Sequence, residues 1–218
     1  MKYKCITGGP ISENCYLLID EKTNQAAVID PGFLNDVLLN EIKKYTVQRI
    51  LLTHGHFDHI WEADRLHEML GVPVCAYETE AAFAADDKQN GSLLMMYESI
   101  TCKVHEAFKD GETFQIGEVP VTVLHTPGHT AGGVSYITPD AVFTGDTLMG
   151  YSVGRCDLPT GNSAELRESL KKLAALPGNP DICGGHGPVT TLEDEKRRNP
   201  YIYRKTYGFI YYRSPLSL

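Results

Sequence analysis

The chain lacks the features that mark several large functional classes. No stretch approaches the ~20 apolar residues that a bilayer-spanning helix requires, and the N-terminus holds no apolar signal-peptide core. The net charge is −8, so the sequence also lacks the basic excess that usually accompanies nucleic-acid binding. These absences predict a cytoplasmic protein whose partners include neither a membrane nor a nucleic acid.

The sequence also lacks paired cysteines. Its six cysteines are scattered and form no C-x-x-C motif, so we expect buried or surface thiols in a reducing compartment rather than a disulfide framework. The length of 218 residues and the hydrophobic content of 42% suit one domain with a sizeable core. No linker composition interrupts the chain, and a single domain is therefore predicted.

Short β-rich segments and amphipathic segments alternate along most of the chain, which is typical of an α/β fold. Strands are predicted at residues 3–7, 14–19, 26–30, 47–53, 72–76, 112–116, 119–125, 134–137, 141–144 and 181–184. Helices are predicted at residues 34–45, 61–70, 78–85, 163–176 and 191–198. Ser163 is the predicted N-cap of its helix. The weaker pattern at residues 86–105 predicts either a cap over a pocket or an ordinary surface helix with a loop.

A dense group of potential metal ligands follows the fourth predicted strand. Residues 53–59 read T-H-G-H-F-D-H and contain His54, His56, Asp58 and His59. A neutral imidazole offers one nitrogen lone pair and a carboxylate offers an oxygen, and both bind metal ions. Alternation at the strand end would direct His54 and His56 to one side, with Asp58 and His59 on the turn into the next helix. Four such side chains on so short an arc fit two adjacent metal sites better than one. A solvated histidine-rich turn is the alternative, which the position behind an apolar strand disfavours.

Three more potential ligands each follow a predicted strand. His129 lies in H-T-P-G-H-T, Asp146 in F-T-G-D, and His186 in C-G-G-H-G. Each has a neighbouring glycine, which lets the backbone turn sharply and approach an ion closely. Loops at one end of a sheet are where a rigid scaffold usually carries its chemistry, so these residues are predicted to join the first group.

Taken in order, the motifs T-H-x-H-x-D-H, H-T-P-G-H-T, F-T-G-D-T-L and G-G-H-G-P resemble those of the metallo-β-lactamase-fold hydrolases. Within that family the sequence is most similar to the glyoxalase II (hydroxyacylglutathione hydrolase) branch. The similarity extends from Asn14 to about Tyr201 and includes residues 154–159. This resemblance implies an α/β fold, a four-layer αβ/βα sandwich, with a dinuclear metal site on its edge.

The resemblance also implies how the ligands are shared between two divalent ions. The first ion would take His54, His56 and His129, the second would take Asp58, His59 and His186, and Asp146 would bridge both. Each ion would keep an open position for water, and a bridging hydroxide would attack a carbonyl that the ions polarise. Asp58 is predicted to be a catalytic residue as well as a ligand. Zinc is the predicted metal, although iron or manganese suits the same ligands.

The implied substrate is a small thioester of the S-2-hydroxyacylglutathione kind. Glyoxalase II has a C-terminal helical domain with basic contacts to glutathione, whereas here only 32 residues (218 − 186) follow His186. The chain is therefore similar to the short relatives that lack that domain. Arg155 stands where glyoxalase II has a basic glutathione contact, and it is predicted either to bind an anionic substrate or to form a structural salt bridge. Asp157 stands where that enzyme has a tyrosine.

Other activities share these motifs. An iron-dependent persulfide dioxygenase would use one metal through fewer ligands, and a lactonase would use the same hydrolytic core. The acidic charge disfavours a nuclease. A non-catalytic metal-storing or redox-sensing scaffold is a further alternative, which the open coordination positions disfavour.

Residues 1–200 form the predicted metallo-β-lactamase-like domain and residues 201–218 an aromatic C-terminal tail. The aromatic density of the tail predicts packing either against the domain or against a second subunit, the latter making a homo-oligomer. Two further residues have open roles. Asp30 is predicted to be either a partner that orients a metal ligand or a simple turn residue, and Trp61 either a pocket wall or part of the core.

Overall fold

A computed structural model describes residues 1–202 of the chain. Twelve strands lie within these residues: β1 (Lys2–Gly8), β2 (Glu13–Asp20), β3 (Gln25–Ile29), β4 (Thr46–Leu51), β5 (Val74–Tyr77), β6 (Glu106–Phe108), β7 (Thr113–Ile116), β8 (Val119–His125), β9 (Val134–Ile137), β10 (Ala141–Gly145), β11 (Asp181–Gly184) and β12 (Thr190–Thr191). The helices of the same part of the chain are α1 (Asp36–Ile42), α2 (Phe57–Ile60), α3 (Ala63–Leu70), α4 (Glu80–Ala84), α5 (Ser92–Met95), α6 (Ser163–Ala174) and α7 (Leu192–Arg198).

The strands form two mixed sheets of six strands each. The first sheet has the order β1-β2-β3-β4-β5-β6 and the second the order β12-β11-β10-β9-β8-β7. Neighbours from β3 to β6 pair in parallel, as do β10 and β11, and the remaining pairs are antiparallel. The parallel pairs require crossover connections, and most of the helices lie in these connections. The predicted α/β class and single domain are confirmed.

The inner faces of the two sheets pack against each other. Strand β2 shows the alternation, because Tyr16 and Leu18 point into this central core while Leu17 and Ile19 point to the opposite face. Both faces of β2 are buried. Phe143 of β10 contributes from the second sheet, with its ring centroid 5.3 Å from that of Tyr16 in an edge-to-face arrangement.

Helices cover the outer face of each sheet and complete four layers. On the first sheet, Leu38 of α1 and Leu66 of α3 belong to the same apolar cluster as Leu17. On the second sheet, α6 and α7 supply the cover, and Leu170 packs with Val142 of β10. The layer order helix–sheet–sheet–helix is the predicted αβ/βα sandwich.

Several element boundaries differ from the predicted ones. The predicted strand 47–53 ends at Leu51, so His54 and His56 lie in a loop, and the prediction that strand alternation orients them is wrong. The next helix begins at Phe57 rather than at residue 61, which places Asp58 and His59 inside α2. Strands β6 and β12 are three and two residues long, too short for a periodic pattern to indicate them.

The cap of α6 is also one residue earlier than predicted. The side chain of Asn162, rather than that of Ser163, accepts hydrogen bonds from the backbone N–H groups of Ala164 and Glu165, at 2.9 and 3.3 Å. An N-cap residue has non-helical backbone angles, and Asn162 has an extended conformation. Ser163 is therefore the first helical residue.

Other expectations concern cysteines, membranes and the C-terminal tail. All six cysteines are free thiols, as expected. None of the helices formed by residues 1–202 combines the length and the apolar character of a membrane-spanning segment. Of the predicted aromatic tail, residues 201–218, all but the first two residues lie outside the described residues, and so does the role predicted for it. Trp61 packs against the apolar cluster of the first sheet, which agrees with the core alternative.

Candidate metal centre

The seven predicted ligands come from four separate segments and meet at one edge of the sandwich. The loop between β4 and α2 carries His54 and His56, and α2 carries Asp58 and His59. His129, Asp146 and His186 follow β8, β10 and β11 of the second sheet. Because strands of both sheets end at this edge, residues far apart in sequence become neighbours.

One predicted set forms a compact group of imidazoles, here called the three-histidine group: His54, His56 and His129. One potential ligand atom from each lies within 4.8 Å of those of the other two. Nδ1 of His56 and Nε2 of His129 are 2.8 Å apart. All three side chains are buried, so these nitrogens face one another away from solvent.

The other predicted set forms a second group beside the first: Asp58, His59 and His186. One potential ligand atom from each of these residues lies within 4.8 Å of those of the other two. Oδ2 of Asp58 lies 3.1 Å from Nε2 of His186 and 3.3 Å from Nε2 of His59.

Asp146 lies between the two groups. Its Oδ2 is 3.5 Å from Nε2 of His129 in the first group. In the second group, Nε2 of His186 is 3.8 Å from the same oxygen, and Nε2 of His59 is 3.6 Å from Oδ1. A carboxylate in this position can offer one oxygen to each side, as the predicted bridging ligand would.

Hydrogen bonds hold several of these imidazoles by their other nitrogen. Nδ1 of His129 is 2.7 Å from the carbonyl oxygen of Arg155, and Nδ1 of His54 is 3.1 Å from Oγ1 of Thr53. Such acceptors fix Nδ1 as the protonated nitrogen and leave the lone pair on Nε2. The lone pairs therefore face the centre of the site.

Asp30 has the first of its two predicted roles and orients ligands. Its carboxylate accepts from the backbone N–H of Thr53 at 2.7 Å and from the Thr53 hydroxyl at 2.6 Å. It also lies 3.0 Å from Nδ1 of His59. Both oxygens are thus engaged by groups that position His54 and His59. Potential ligand atoms of Asp30, His54 and His59 also lie within 4.8 Å of one another. Because both oxygens of Asp30 already have hydrogen-bond partners, we interpret Asp30 as a residue that supports the ligands.

Buried polar atoms without a hydrogen-bond partner indicate whether the residues of the site could hold metal ions. Among the described residues, Nε2 of His54, Nε2 of His59 and Oδ1 of Asp146 are buried without a hydrogen-bond partner. Buried polar groups are normally satisfied. These nitrogen and oxygen atoms belong to residue types that bind metal ions, and bound cations would supply the partners that they lack.

The charge of the site points the same way. Three buried aspartates lie in it: Asp30, Asp58 and Asp146. Within the part of the chain that the structure describes, no lysine or arginine forms an ion pair with any of them. Buried negative charge needs a compensating cation, and divalent ions would supply it.

The pKa values reflect burial and this crowding. Burial lowers the pKa of His54 well below its ordinary value, and burial together with His129 lowers that of His56 to about 3. Burial alone would raise the pKa of Asp58, but the charge of His59 outweighs it and holds that pKa well below the ordinary value. Neutral His54 and His56 and an ionised Asp58 are in the protonation states that metal ligation requires. Burial alone would lower the pKa of His59, but Asp58 and Asp30 outweigh it and raise that pKa well above the ordinary value, so a metal ion would have to displace a proton from this imidazole.

A cavity of about 160 Å³ opens above the two groups. Its polar floor includes ligands from both groups, and its walls are largely apolar, with Ile11, Phe57, Met95 and Leu158 among them. Asn90 and Met95 belong to the segment 86–105, so this segment contributes to the pocket wall. The small volume suits a small molecule.

Arg155 forms the salt bridge that is one of the two alternatives predicted for it. The residue lines the cavity, and its guanidinium forms a two-pronged ion pair with Asp157, with N–O distances of 2.6 and 2.7 Å. The pair is exposed to solvent, so it is weak and can open. A role in substrate binding remains a prediction.

Two residues near the site were missed by the sequence reasoning. Glu13 is 1% exposed and both its carboxylate oxygens lack a hydrogen-bond partner among the described residues, and burial raises its pKa well above the ordinary value. Glu80 is equally buried, in α4. The only signal for Glu80 was a charged residue in a short apolar stretch, E-A-A-F-A.

Comparison with known proteins agrees with this geometry. The family model of the metallo-beta-lactamase superfamily matches residues 8–186. YqgX of Bacillus subtilis, described as a probable metallo-hydrolase, is 36% identical over 208 residues, which are 93% of this chain and 98% of YqgX. The hydroxyacylglutathione hydrolase GloC of Haemophilus influenzae is 31% identical over 213 residues, 94% of this chain and 100% of GloC.

Solved structures show the same architecture. The B3 metallo-beta-lactamase BLEG-1 superposes with a TM-score of 0.87 at 33% identity, covering 93% of this chain and 100% of BLEG-1. TTHA1623 in a di-iron-bound form gives a TM-score of 0.78 at 34% identity, covering 91% and 99%. These matches agree with the sandwich and with the histidine and aspartate cluster on its edge. The chain belongs to the metallo-beta-lactamase superfamily.

Proposed function

We propose that the protein is a metal-dependent hydrolase of a small thioester, of the S-2-hydroxyacylglutathione kind. The observation that carries the proposal is the convergence of two ligand groups on either side of Asp146, at the floor of an open cavity. The similarity to GloC supports the thioester class.

In this proposal the three-histidine group and Asp146 hold one divalent ion. Asp58, His59, His186 and the same aspartate hold a second. When bound, the ions would activate a water molecule and polarise the substrate carbonyl. We propose zinc as the metal, and the di-iron form of TTHA1623 makes iron the first alternative to examine.

The protein's own side chains supply positioning around that chemistry. Asp30 and the Arg155 carbonyl orient imidazoles through their Nδ1 atoms. The apolar walls of the cavity would exclude bulk water from the acyl group. Asp58 is the proposed catalytic residue among the ligands, because its low pKa keeps it ionised and its Oδ2 lies beside the floor histidines.

The direct test is hydrolysis of S-lactoylglutathione by zinc-loaded protein, with metal content measured on the same sample. We expect turnover and close to two ions per chain, and we expect His56→Ala to lose activity by at least a hundredfold. His105→Ala is the matched control, because this histidine is exposed and outside the site. No turnover in the wild type, or unchanged turnover in His56→Ala, would contradict the proposal.

The same samples separate the alternatives. A single bound iron, with oxygen uptake on glutathione persulfide and no thioester cleavage, would favour a persulfide dioxygenase. Cleavage of lactones but not of thioesters would favour a lactonase.

A further inference from the structure

Glu80 lies directly behind the three-histidine group. It is 1% exposed, and no lysine or arginine within the described residues forms an ion pair with it. Burying a carboxylate without a cation is unfavourable unless hydrogen bonds compensate. Its hydrogen-bond partners should therefore show what the residue does.

The two donors to Glu80 come from two different ligand-bearing segments. One is the hydroxyl of Thr130, which follows His129 directly and is fully buried. The other is the backbone N–H of Gly55, the residue between His54 and His56, and this hydrogen bond lowers the pKa of Glu80 by less than the Thr130 hydrogen bond does. A single carboxylate thus joins both backbone segments that carry the three-histidine group.

Close packing fixes Glu80 and its helix in this place. A Cβ atom at Gly132 would lie 2.7 Å from Cγ of Glu80, and one at Gly55 would lie 2.9 Å from the ring of Phe83 on the same helix. Both segments therefore lie directly against α4. Elsewhere the two segments are joined near β9, where the N–H of Val134 donates to the carbonyl of Thr53 at 2.9 Å. That bond lies before His54 in one segment and after His129 in the other, so it does not involve Gly55 or Thr130, which Glu80 links.

We propose that Glu80 is a positioning residue that sets the spacing of the three-histidine group by linking Gly55 to Thr130. The carboxylate contacts no reacting atom, so it acts through the two backbone segments. Without it, each segment could shift relative to the other, and the imidazole nitrogens would no longer meet at one point. The proposal rests on the metal site of the proposed function.

Three variants separate hydrogen bonding from packing. Glu80→Met keeps the length of the side chain and removes both acceptors. Glu80→Gln retains both hydrogen bonds, because its oxygen can accept from Gly55 while its amide donates to a Thr130 hydroxyl that rotates to accept. Thr130→Val removes one donor and leaves Glu80 in place.

The readouts are zinc affinity by competition with a chelator and the visible spectrum of the cobalt-substituted protein, neither of which needs substrate. We expect Glu80→Met to weaken binding of the ion at the three-histidine group by about 10–100-fold, as loss of a supporting residue typically does, and to change the cobalt spectrum. Glu80→Gln should keep the zinc affinity and the cobalt spectrum of the wild type. Thr130→Val should weaken binding by less than Glu80→Met, and the two effects should not add in the double variant.

Glu195→Met is the matched control. Glu195 is also fully buried and also accepts from a backbone N–H and a threonine hydroxyl, those of Tyr151 and Thr190, at 2.9 and 2.6 Å. We expect this variant to lower stability without changing zinc affinity.

Unchanged zinc affinity and cobalt spectrum in Thr130→Val and in a folded Glu80→Met would overturn the proposal. If Glu80→Met does not fold, Thr130→Val, with Thr130→Ser as its restoring partner, decides alone. Wild-type protein that binds no metal would instead contradict the proposed function, so the two failures are distinguishable.

Discussion

At the residue scale, the site is distinguished by buried acidic groups that have no lysine or arginine partner among residues 1–202. Asp58 and Asp146 face imidazoles, whereas the carboxylate of Glu13 has no hydrogen-bond partner in the same part of the chain. Glu80 differs from them because its neighbours are uncharged donors, the Gly55 N–H and the Thr130 hydroxyl. Its protonation can therefore be studied apart from that of the ligands.

Glu80 should make the stability of the protein depend on pH. Burial raises its pKa from 4.5 to about 7, with the hydrogen bonds from Thr130 and Gly55 acting in the opposite direction. The folded state then retains a proton that the unfolded state loses, so this contribution to stability is complete below pH 4.5 and is lost as the pH rises through 7. The difference corresponds to at most about 3 kcal/mol, at 1.36 kcal/mol for each tenfold change.

Glu80→Gln should remove this dependence. Measured by urea unfolding of metal-free protein, the variant should gain stability relative to wild type between pH 5 and pH 8. Glu78→Gln, an exposed neighbour, should follow the wild type at both values. An identical pH dependence in wild type and Glu80→Gln would show that Glu80 is already ionised at pH 5.

The sequence predicts the candidate ligands but not the residues that support them. His54, His56, Asp58 and His59 stand out because four ligand-type residues occur within six positions. Glu80 contacts residues that are 25 positions before and 50 positions after it, and no local pattern reports such a contact. Which helix packs behind which loop is decided by the tertiary fold.

At the element scale, short elements supply much of the site. Helix α2 has only four residues, yet it carries Asp58 and His59. A Cβ atom at Gly32 would collide with the carbonyl of Asp58, so the loop after β3 lies directly against this helix. Packing by its neighbours, rather than helix propensity, holds so short an element in place.

The N-cap of α6 gives a test at this scale. Asn162→Ala removes the acceptor for two backbone N–H groups and should lower the free energy of unfolding by about 1 kcal/mol. Ser163→Ala is the control, since the side chain of the first helical residue does not cap the helix, and it should change stability by less than 0.5 kcal/mol, as most surface substitutions do. Chemical denaturation measures both. A larger loss in Ser163→Ala than in Asn162→Ala would restore the original prediction for this helix start.

Helix α5 offers a second test, because Met95 at its end lines the cavity. Met95→Lys places a charge in an otherwise apolar wall and should lower kcat/KM for the thioester by about tenfold, equivalent to about 1.4 kcal/mol. Met69→Lys on α3 is matched in residue type and in exposure, at 52% against 44% for Met95, and should leave kcat/KM unchanged. Equal effects of the two substitutions would show that α5 does not contact the substrate.

Patterns in the sequence predicted the longer elements better than the short ones. The 12 residues of α6 include three leucines on one buried face, which is enough for a helical period to be visible. Strand β6 has three residues, two of them exposed, and exists because β5 offers a free edge. Boundaries such as the end of β4 depend on pairing with the next strand, which the local sequence does not contain.

At the scale of the whole molecule, the proposed ions would join the two halves of the sandwich. The first sheet leads into the segment with His54, His56, Asp58 and His59, and the second sheet carries His129, Asp146 and His186. Each ligand group draws on both sheets. Metal should therefore stabilise the whole fold and not only the loops.

Zinc should raise the thermal midpoint by an amount that grows with the logarithm of its affinity. At a free concentration 100 times Kd, binding of one ion contributes about 2.7 kcal/mol, which for a domain of this size corresponds to roughly 5–10 °C. Differential scanning fluorimetry with a zinc-buffer series measures the shift, and His56→Ala should reduce it while the control His105→Ala keeps it. A thermal midpoint that does not depend on zinc in the wild type would show that the seven residues do not bind zinc in the folded protein.

The distribution of the ligands along the chain also determines when the centre can form. Residues 54–59 leave the ribosome long before His186, and β10 and β11, which position Asp146 and His186, are separated by the whole of α6. Contacts this distant in sequence form slowly, because a long loop must close first. The nascent chain therefore presents four of the seven candidate ligands well before the other three exist. The complete two-group site can form only after the last sheet has folded, so metal uptake is expected to be a late, post-translational step.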